Sequence, residues 1–114
     1  MKITTLDNLM DETVSHNPKI SKKTIFKSCD LPCPLTFISQ ATFPPGEIAG
    51  SHKHTDMYEY FNIISGNGTI KVNNELFEIK KGLSIFIEPD EFHEICNTGS
   101  CNLVILYFGI KQTG

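Results

Sequence analysis

Along most of the chain, apolar and polar residues alternate over short distances, and clusters of Pro, Gly, Asn and Asp separate the alternating runs. A period of two is the mark of half-buried strands. From Lys23 onward it predicts strands around Thr24–Phe26, Leu35–Ser39 and Tyr58–Ile64, then Leu83–Ile87, Phe92–Asn97 and Leu103–Phe108. Around Asn73-Asn74 the flanks pair as a two-residue hairpin, with Ile70, Val72, Phe77 and Ile79 on one face and Thr69, Lys71, Glu78 and Lys80 on the other. The run Leu103–Phe108 breaks the rhythm, being apolar on both faces, so it needs cover beyond its own barrel. That cover is expected from an N-terminal arm or from a second subunit, which predicts a homodimer. Before Lys23, Leu6, Leu9, Met10 and Val14 recur near a helical period that Asn17-Pro18 closes, predicting a short helical or extended arm. The expected organisation is an arm over 1–22 and one all-β barrel domain over 23–114.

Length changes this picture little: 114 residues make one domain. With 39% hydrophobic and 20% charged residues, the composition is that of a globular chain. No apolar run nears the roughly 18 residues that span a bilayer, so no membrane partner is expected. The opening MKITTLDNLMDE puts acids where a secretion signal carries its apolar stretch, and a cytoplasmic location is the expectation. In that reducing setting Cys29, Cys33, Cys96 and Cys101 are expected as free thiols. Charge is more informative. Ten Lys, no Arg and thirteen acids give −3 without a basic stripe, which argues against nucleic acid. Residues 1–40 carry five Lys against four acids, and residues 41–114 five Lys against nine acids. A site in the second part is therefore expected to be electronegative. Without an Arg fork, small anionic substrates are disfavoured.

The candidate chemistry lies in GEIAGSHKHTDMYEYFNIISG. His52 and His54, two apart, project from one face of a strand. Glu59 shares a strand face with Phe61 and Ile63, so a carboxylate heads an apolar row and needs a partner there. His93 shares a face with Ile95 and Asn97 further on. Should a barrel close, three imidazoles and one carboxylate converge, which is the donor set of a divalent transition-metal site with positions left for water or ligand. A lone His on a strand is more often a hydrogen-bonded core or surface residue, and Glu59 could be solvated; the spacing decides between these readings.

That spacing resembles the first cupin motif: Gly, five residues, His-x-His, three or four residues, Glu, six residues, Gly. Gly46, His52, His54, Glu59 and Gly66 occupy its fixed positions. The second motif, Gly, five residues, Pro-x-Gly, two residues, His, three residues, Asn, is similar to Gly82, Glu88-Pro89-Asp90, His93 and Asn97. Here Glu88 replaces the family's Pro and Asp90 its Gly. The resemblance spans Gly46 to Asn97 and implies a double-stranded β-helix, or jelly roll, with metal ligands His52, His54, Glu59 and His93 near one mouth. It implies one divalent ion, Fe, Mn, Ni, Zn or Co, and leaves the reaction open.

Asp56 is the alternative carboxylate, disfavoured by the motif's register. Asn97 lies roughly 13 Å along a strand from His93 and reads as a turn residue. Gly46, Gly66 and Gly82 read as backbone turns. Tyr58 and Tyr60 face away from Glu59 and read as packing or interface residues. Glu88, Asp90, Glu91 and Glu94 read as a solvated acidic rim, Cys96 as a packed thiol, and His16 as an exposed residue remote from the metal. Phe37, Ser39, Phe61, Ile63 and Ile95, with one face of Leu103–Phe108, are the expected pocket lining. Their apolar character favours a small neutral or aromatic ligand. A metal-dependent oxygenase or isomerase is the favoured expectation, and a non-catalytic small-molecule or metal sensor the alternative.

Overall fold

A computed structural model describes residues 1–112. Ten strands run in chain order: β1 Glu12–Val14, β2 Asn17–Lys27, β3 Leu35–Phe43, β4 Ile48–His52, β5 Met57–Ser65, β6 Asn67–Val72, β7 Glu75–Lys80, β8 Ser84–Ile87, β9 His93–Cys96 and β10 Leu103–Lys111. They form two antiparallel sheets, one ordered β1-β2-β3-β10-β5-β8 and one ordered β4-β9-β6-β7. This is an all-β jelly-roll barrel. Its core lies between the inner faces and includes Ile20, Phe43, Ile63, Ile70, Ile79, Leu103 and Ile105.

The hairpin at Asn73-Asn74 follows from its residues. Both asparagines adopt positive φ (47° and 71°), as a type I′ turn requires, and Val72 pairs with Glu75. Ile70 and Ile79 are buried, whereas Phe77 stays exposed near the open end of the sheet.

The N-terminal segment, expected as helical or extended, takes mainly the extended form. It holds one 3-10 turn, Leu6–Asn8, and then β1, which pairs with β2 at the edge of the larger sheet. An edge strand beside it offers backbone partners that a single amphipathic turn cannot match. The boundary expected at 22/23 falls inside β2. Strand β10 lies centrally between β3 and β5. Leu103 and Ile105 face the core, while Val104, Leu106, Phe108 and Ile110 are half-buried on the outer face. A Lys23 Nζ hydrogen bond to the Leu9 carbonyl (2.8 Å) ties the leading segment against β2, near the sheet edge. Among the described residues no helix is long and apolar enough to cross a membrane.

Candidate metal centre

Four elements bring the donors together. Glu59 is on the inner face of β5, opposite Gly109 of β10 and Ile87 of β8, and is buried at 4% exposure. His93 opens β9 and is buried at 1%. His52 ends β4 and pairs with His93, but only because the strand bulges. Ala49 pairs with Ile95 and His52 with His93, so Gly50 and Ser51 together oppose Glu94 alone. Strict alternation from Ala49 would aim His52 outward; the extra residue turns it in. His54 lies beyond the strand, in the loop to β5. The loop is held by the Asp90 N–H, which donates to the His54 carbonyl (2.7 Å). Asp90, standing where the family motif has Gly, adopts φ +70°, a left-handed conformation that aspartate tolerates better than most residues.

The ligand atoms of His52, His54, Glu59 and His93 all lie within 4.8 Å of one another, a group that could hold a metal ion. Imidazole centroids are 4.3 Å apart for His52 and His93 and 5.2 Å for His52 and His54. Glu59 Oε1 is 3.0 Å from His93 Nε2 and 3.1 Å from His54 Nε2. Yet Glu59 Oε1 and His93 Nε2, both fully buried, have no hydrogen-bond partner, since close approach without alignment is no hydrogen bond. Two of the other ring nitrogens are engaged. Nδ1 of His52 lies 2.9 Å from the Gly50 carbonyl and Nδ1 of His93 3.1 Å from that of Glu91. A carbonyl only accepts, so each Nδ1 carries the proton and each Nε2 keeps a lone pair for the shared centre. Burial lowers the His52 pKa, with the neighbouring His93 adding to the effect against the Gly50 carbonyl, which favours the neutral, ligating form. The donor set and the orphaned atoms fit a divalent transition ion.

Two spaces adjoin the centre. One, a cavity of about 70 Å³, has an apolar wall of Ala41, Phe43, Ala49, Phe61, Ile95 and Ile105. The other, a vestibule of about 400 Å³, lies between β2, β3 and the histidines. Of the expected lining residues, Phe61 and Ile95 are on the cavity wall and Phe37 and Ser39 on the vestibule wall, whereas Ile63 is buried at 1% in the core and borders neither. Tyr107, between the two spaces, stacks on Phe61 at 5.7 Å. Its pKa is raised to about 12 by burial first and by the Glu59 charge second, so it remains a neutral phenol.

His16 departs from its expected remoteness. The two-residue turn Ser15-His16 joins β1 to β2 and brings its ring to 4.8 Å from that of His52, over the mouth. The signal was local, a tight turn before Asn17-Pro18, but its target is set by the β2–β3 pairing. The vestibule also corrects the expected electronegative site. Its wall comes mostly from the basic first third of the chain, with Lys22 and Lys27, and among the described residues Glu59 is the one acid lining either space. Glu88, Asp90, Glu91 and Glu94 line neither; Asp90 lies 3.9 Å from Lys53. Asp56 is exposed and outside the ligand group.

Comparison with known proteins places these features. A family model described as the cupin domain matches residues 39–109. An uncharacterised protein of Methanocaldococcus jannaschii is 39% identical over 69 residues, 60% of this chain and 55% of its own. An oxalate-binding protein of Thermotoga maritima is 38% identical over 63 residues, 55% of this chain and 52% of its own. The chain thus spans about half the length of the curated relatives it matches. Among solved structures, a predicted oxalate decarboxylase of Thermotoga maritima superposes with TM-score 0.89 at 24% identity, over 96% of this chain and 99% of that one. The polyketide cyclase RemF of Streptomyces resistomycificus superposes with TM-score 0.82 at 14% identity, over 99% and 80%. At these identities the structural likeness is one of fold.

Proposed function

From the premise that this chain belongs to the cupin family, we propose that it is a metal-binding cupin. One divalent transition ion is held by His52, His54, Glu59 and His93, and a small molecule occupies the ion's open positions. One observation carries this reading: Glu59 Oε1 and His93 Nε2 are buried 3.0 Å apart without hydrogen-bond partners. Such atoms cost free energy unless a third group satisfies both. When bound, the ion supplies Lewis-acid or O2-activating chemistry. The chain's own part is to fix the imidazole tautomers through the Gly50 and Glu91 carbonyls, to hold a neutral Tyr107 beside the ligand, and to exclude water with Phe61 and Ile95. Metal analysis of the purified wild type is expected to give close to one ion per chain, absent from His93→Ala. A wild type that is metal-free and cannot be reloaded overturns the reading.

A neutral or aromatic ligand was the expectation from the apolar wall. That wall bounds the smaller of the two spaces, about 70 Å³ against about 400 Å³, so the vestibule offers a ring more room. The oxalate-binding relative supports a small carboxylate on the ion, and it also supports a second reading, a binding module without turnover. Oxygen uptake or isomerisation by the metal-loaded protein separates the enzyme from the binder, which shows thermal stabilisation alone.

We also propose a homodimer through the outer face of the larger sheet. Phe108 packs on Tyr60 (4.9 Å) and Tyr58 stacks on Phe86 (5.4 Å), and Phe86 is 54% exposed. Cross-strand neighbours Ile38, Leu106, Asn62 and Ser84 add no charge, so a two-fold copy meets the patch without like-charge repulsion. Light scattering is expected to give twice 12.8 kDa. A monomer at micromolar concentration removes the dimer.

A further inference from the structure

Strand β2 carries an irregularity that the metal centre does not explain. Lys22 pairs with Ala41 and Thr24 with Ser39, so even-numbered residues of β2 face the interior there. The register then shifts: Phe26 pairs with Ile38 and Lys27 with Phe37. Ile25 is the extra residue. Were Ile25 paired in regular alternation, Phe26 would continue the inward row and Lys27 would point to solvent; bulged out, Ile25 leaves the phenylalanine on the outer face and the lysine on the vestibule wall. Bulges of this kind re-aim side chains next to active sites. Here the re-aiming places a second cation in the same space as Lys22.

Neither lysine is used for folding in an evident way. Among the described residues no carboxylate lies within 4.0 Å of either ammonium, whereas Lys23 and Lys53 each have one. Glu12 is the cross-strand neighbour of Lys22, and Asp30 accepts the Lys27 backbone N–H at 3.2 Å. Lys22 is half-buried, so its charge is less screened than that of a free surface lysine. The rest of the vestibule wall is rich in hydroxyls, from Ser15, Thr24, Ser28, Thr36 and Ser39. A divalent ion with one carboxylate ligand leaves the centre positive, and two lysines on the wall of the adjoining vestibule make it a place for a dianion.

We propose that Lys22 and Lys27 are specificity-determining residues for a small aliphatic dicarboxylate, one end of which meets the ion while the other is held by the two ammonium groups. The ion end rests on the reading of His52, His54, Glu59 and His93 as metal ligands; the lysine end does not. With no arginine in the chain, the distal carboxylate is held by point charges and hydroxyls, which tolerate a range of chain lengths better than a planar fork.

The test uses malonate, its neutral analogue malonamide and inorganic phosphate, titrated calorimetrically into manganese-loaded and metal-free protein. Wild type, Lys22→Gln, Lys27→Gln, the double variant and the charge-keeping Lys22→Arg/Lys27→Arg variant are compared, with metal content measured on each. The loaded wild type is expected to bind malonate at least tenfold tighter than malonamide or phosphate. The double Gln variant should lose that preference with its metal content unchanged, and the Arg variant should keep it. Equal affinity for malonate and malonamide, a preference that survives the double Gln variant, or phosphate binding as tight as malonate overturns the proposal. Should the wild type take up no metal, the ligand set is refuted separately. The lysines are then judged on the metal-free protein, where lysine-dependent malonate binding sustains their role and its absence ends it.

Discussion

Two places in the barrel bury polar side chains almost completely, and they treat them in opposite ways. At the closed end, Asn97 is fully buried and fully partnered: its Nδ2 donates to the carbonyls of Phe43 (2.9 Å) and Cys101 (2.8 Å), and its Oδ1 accepts the Gly99 N–H (2.9 Å). Its backbone joins in, the N–H donating to Glu47 and the carbonyl accepting from Gly46. At the mouth, Glu59 and His93 are as deeply buried, yet Oε1 and Nε2 have no hydrogen-bond partner. Asn97 staples the two sheets, and its account is closed within the chain. The mouth is left open, and a fold that tolerates orphaned atoms in one place while satisfying every atom in another points to a ligand at the first.

The largest expected effect comes from breaking the open end. His93→Ala is expected to reduce bound metal from about one ion per chain to none. It should also abolish the thermal stabilisation that metal gives the wild type, about 2.7 kcal/mol at a hundredfold excess over Kd. Differential scanning calorimetry with and without chelator reads both; an unchanged metal-induced shift in the variant would dissolve the contrast. At the closed end, Asn97→Ala leaves the buried Phe43 carbonyl and the part-buried Cys101 carbonyl and Gly99 N–H without their partner and is expected to cost about 2 kcal/mol, with metal content preserved. Urea unfolding of the metal-free proteins checks this, and a loss below about 1 kcal/mol would mean that water replaces the amide.

A smaller effect of opposite sign sharpens the comparison. In the metal-free protein, Glu59→Met replaces an orphaned carboxylate with a thioether that fits the apolar row of Phe61, and stability is expected to rise by about 1 kcal/mol while metal binding is lost. A fall in stability would show that the carboxylate is satisfied without an ion. The smallest effect at neutral pH belongs to Tyr107. Its folded pKa of about 12 exceeds the ordinary value of 10.0, so the folded chain holds its proton where the unfolded chain has released it. The resulting stabilisation is present below pH 10 and fades as pH rises towards 12. Tyrosinate absorbance should therefore show a late-titrating group that Tyr107→Phe removes.

What the sequence discloses and what it hides divide along the same line as local and non-local pairing. The asparagine hairpin, the three turn glycines with φ between 83° and 92°, and the spacing within each of the two motifs that carry the donor set are local, and each is legible in the residue order. The bulges are not. Gly50-Ser51 and Ile25 acquire their meaning only from the strands opposite, Glu94 in one case and the Ser39–Ile38 step in the other. For that reason period-two reasoning puts His52 and His54 on one strand face, when a bulge aims the first and a loop carries the second. In the leading segment the extended alternative holds for a related cause: a helical spacing of four apolar residues yields to an available sheet edge. The place of His16 over the mouth, and the basic wall beside it, follow from that edge pairing and could not be read from charge counts along the chain.

The bulge at Ile25 means that the ligand preference of such a barrel is stored partly in strand register and not in residue identity alone. Drawing Ile25 into the ladder would exchange a lysine for a phenylalanine at the entrance without altering a single codon, converting a cationic gate into a greasy one. Related barrels could thus diverge in what they admit by where this edge slips, a route that comparison of aligned side chains alone would overlook.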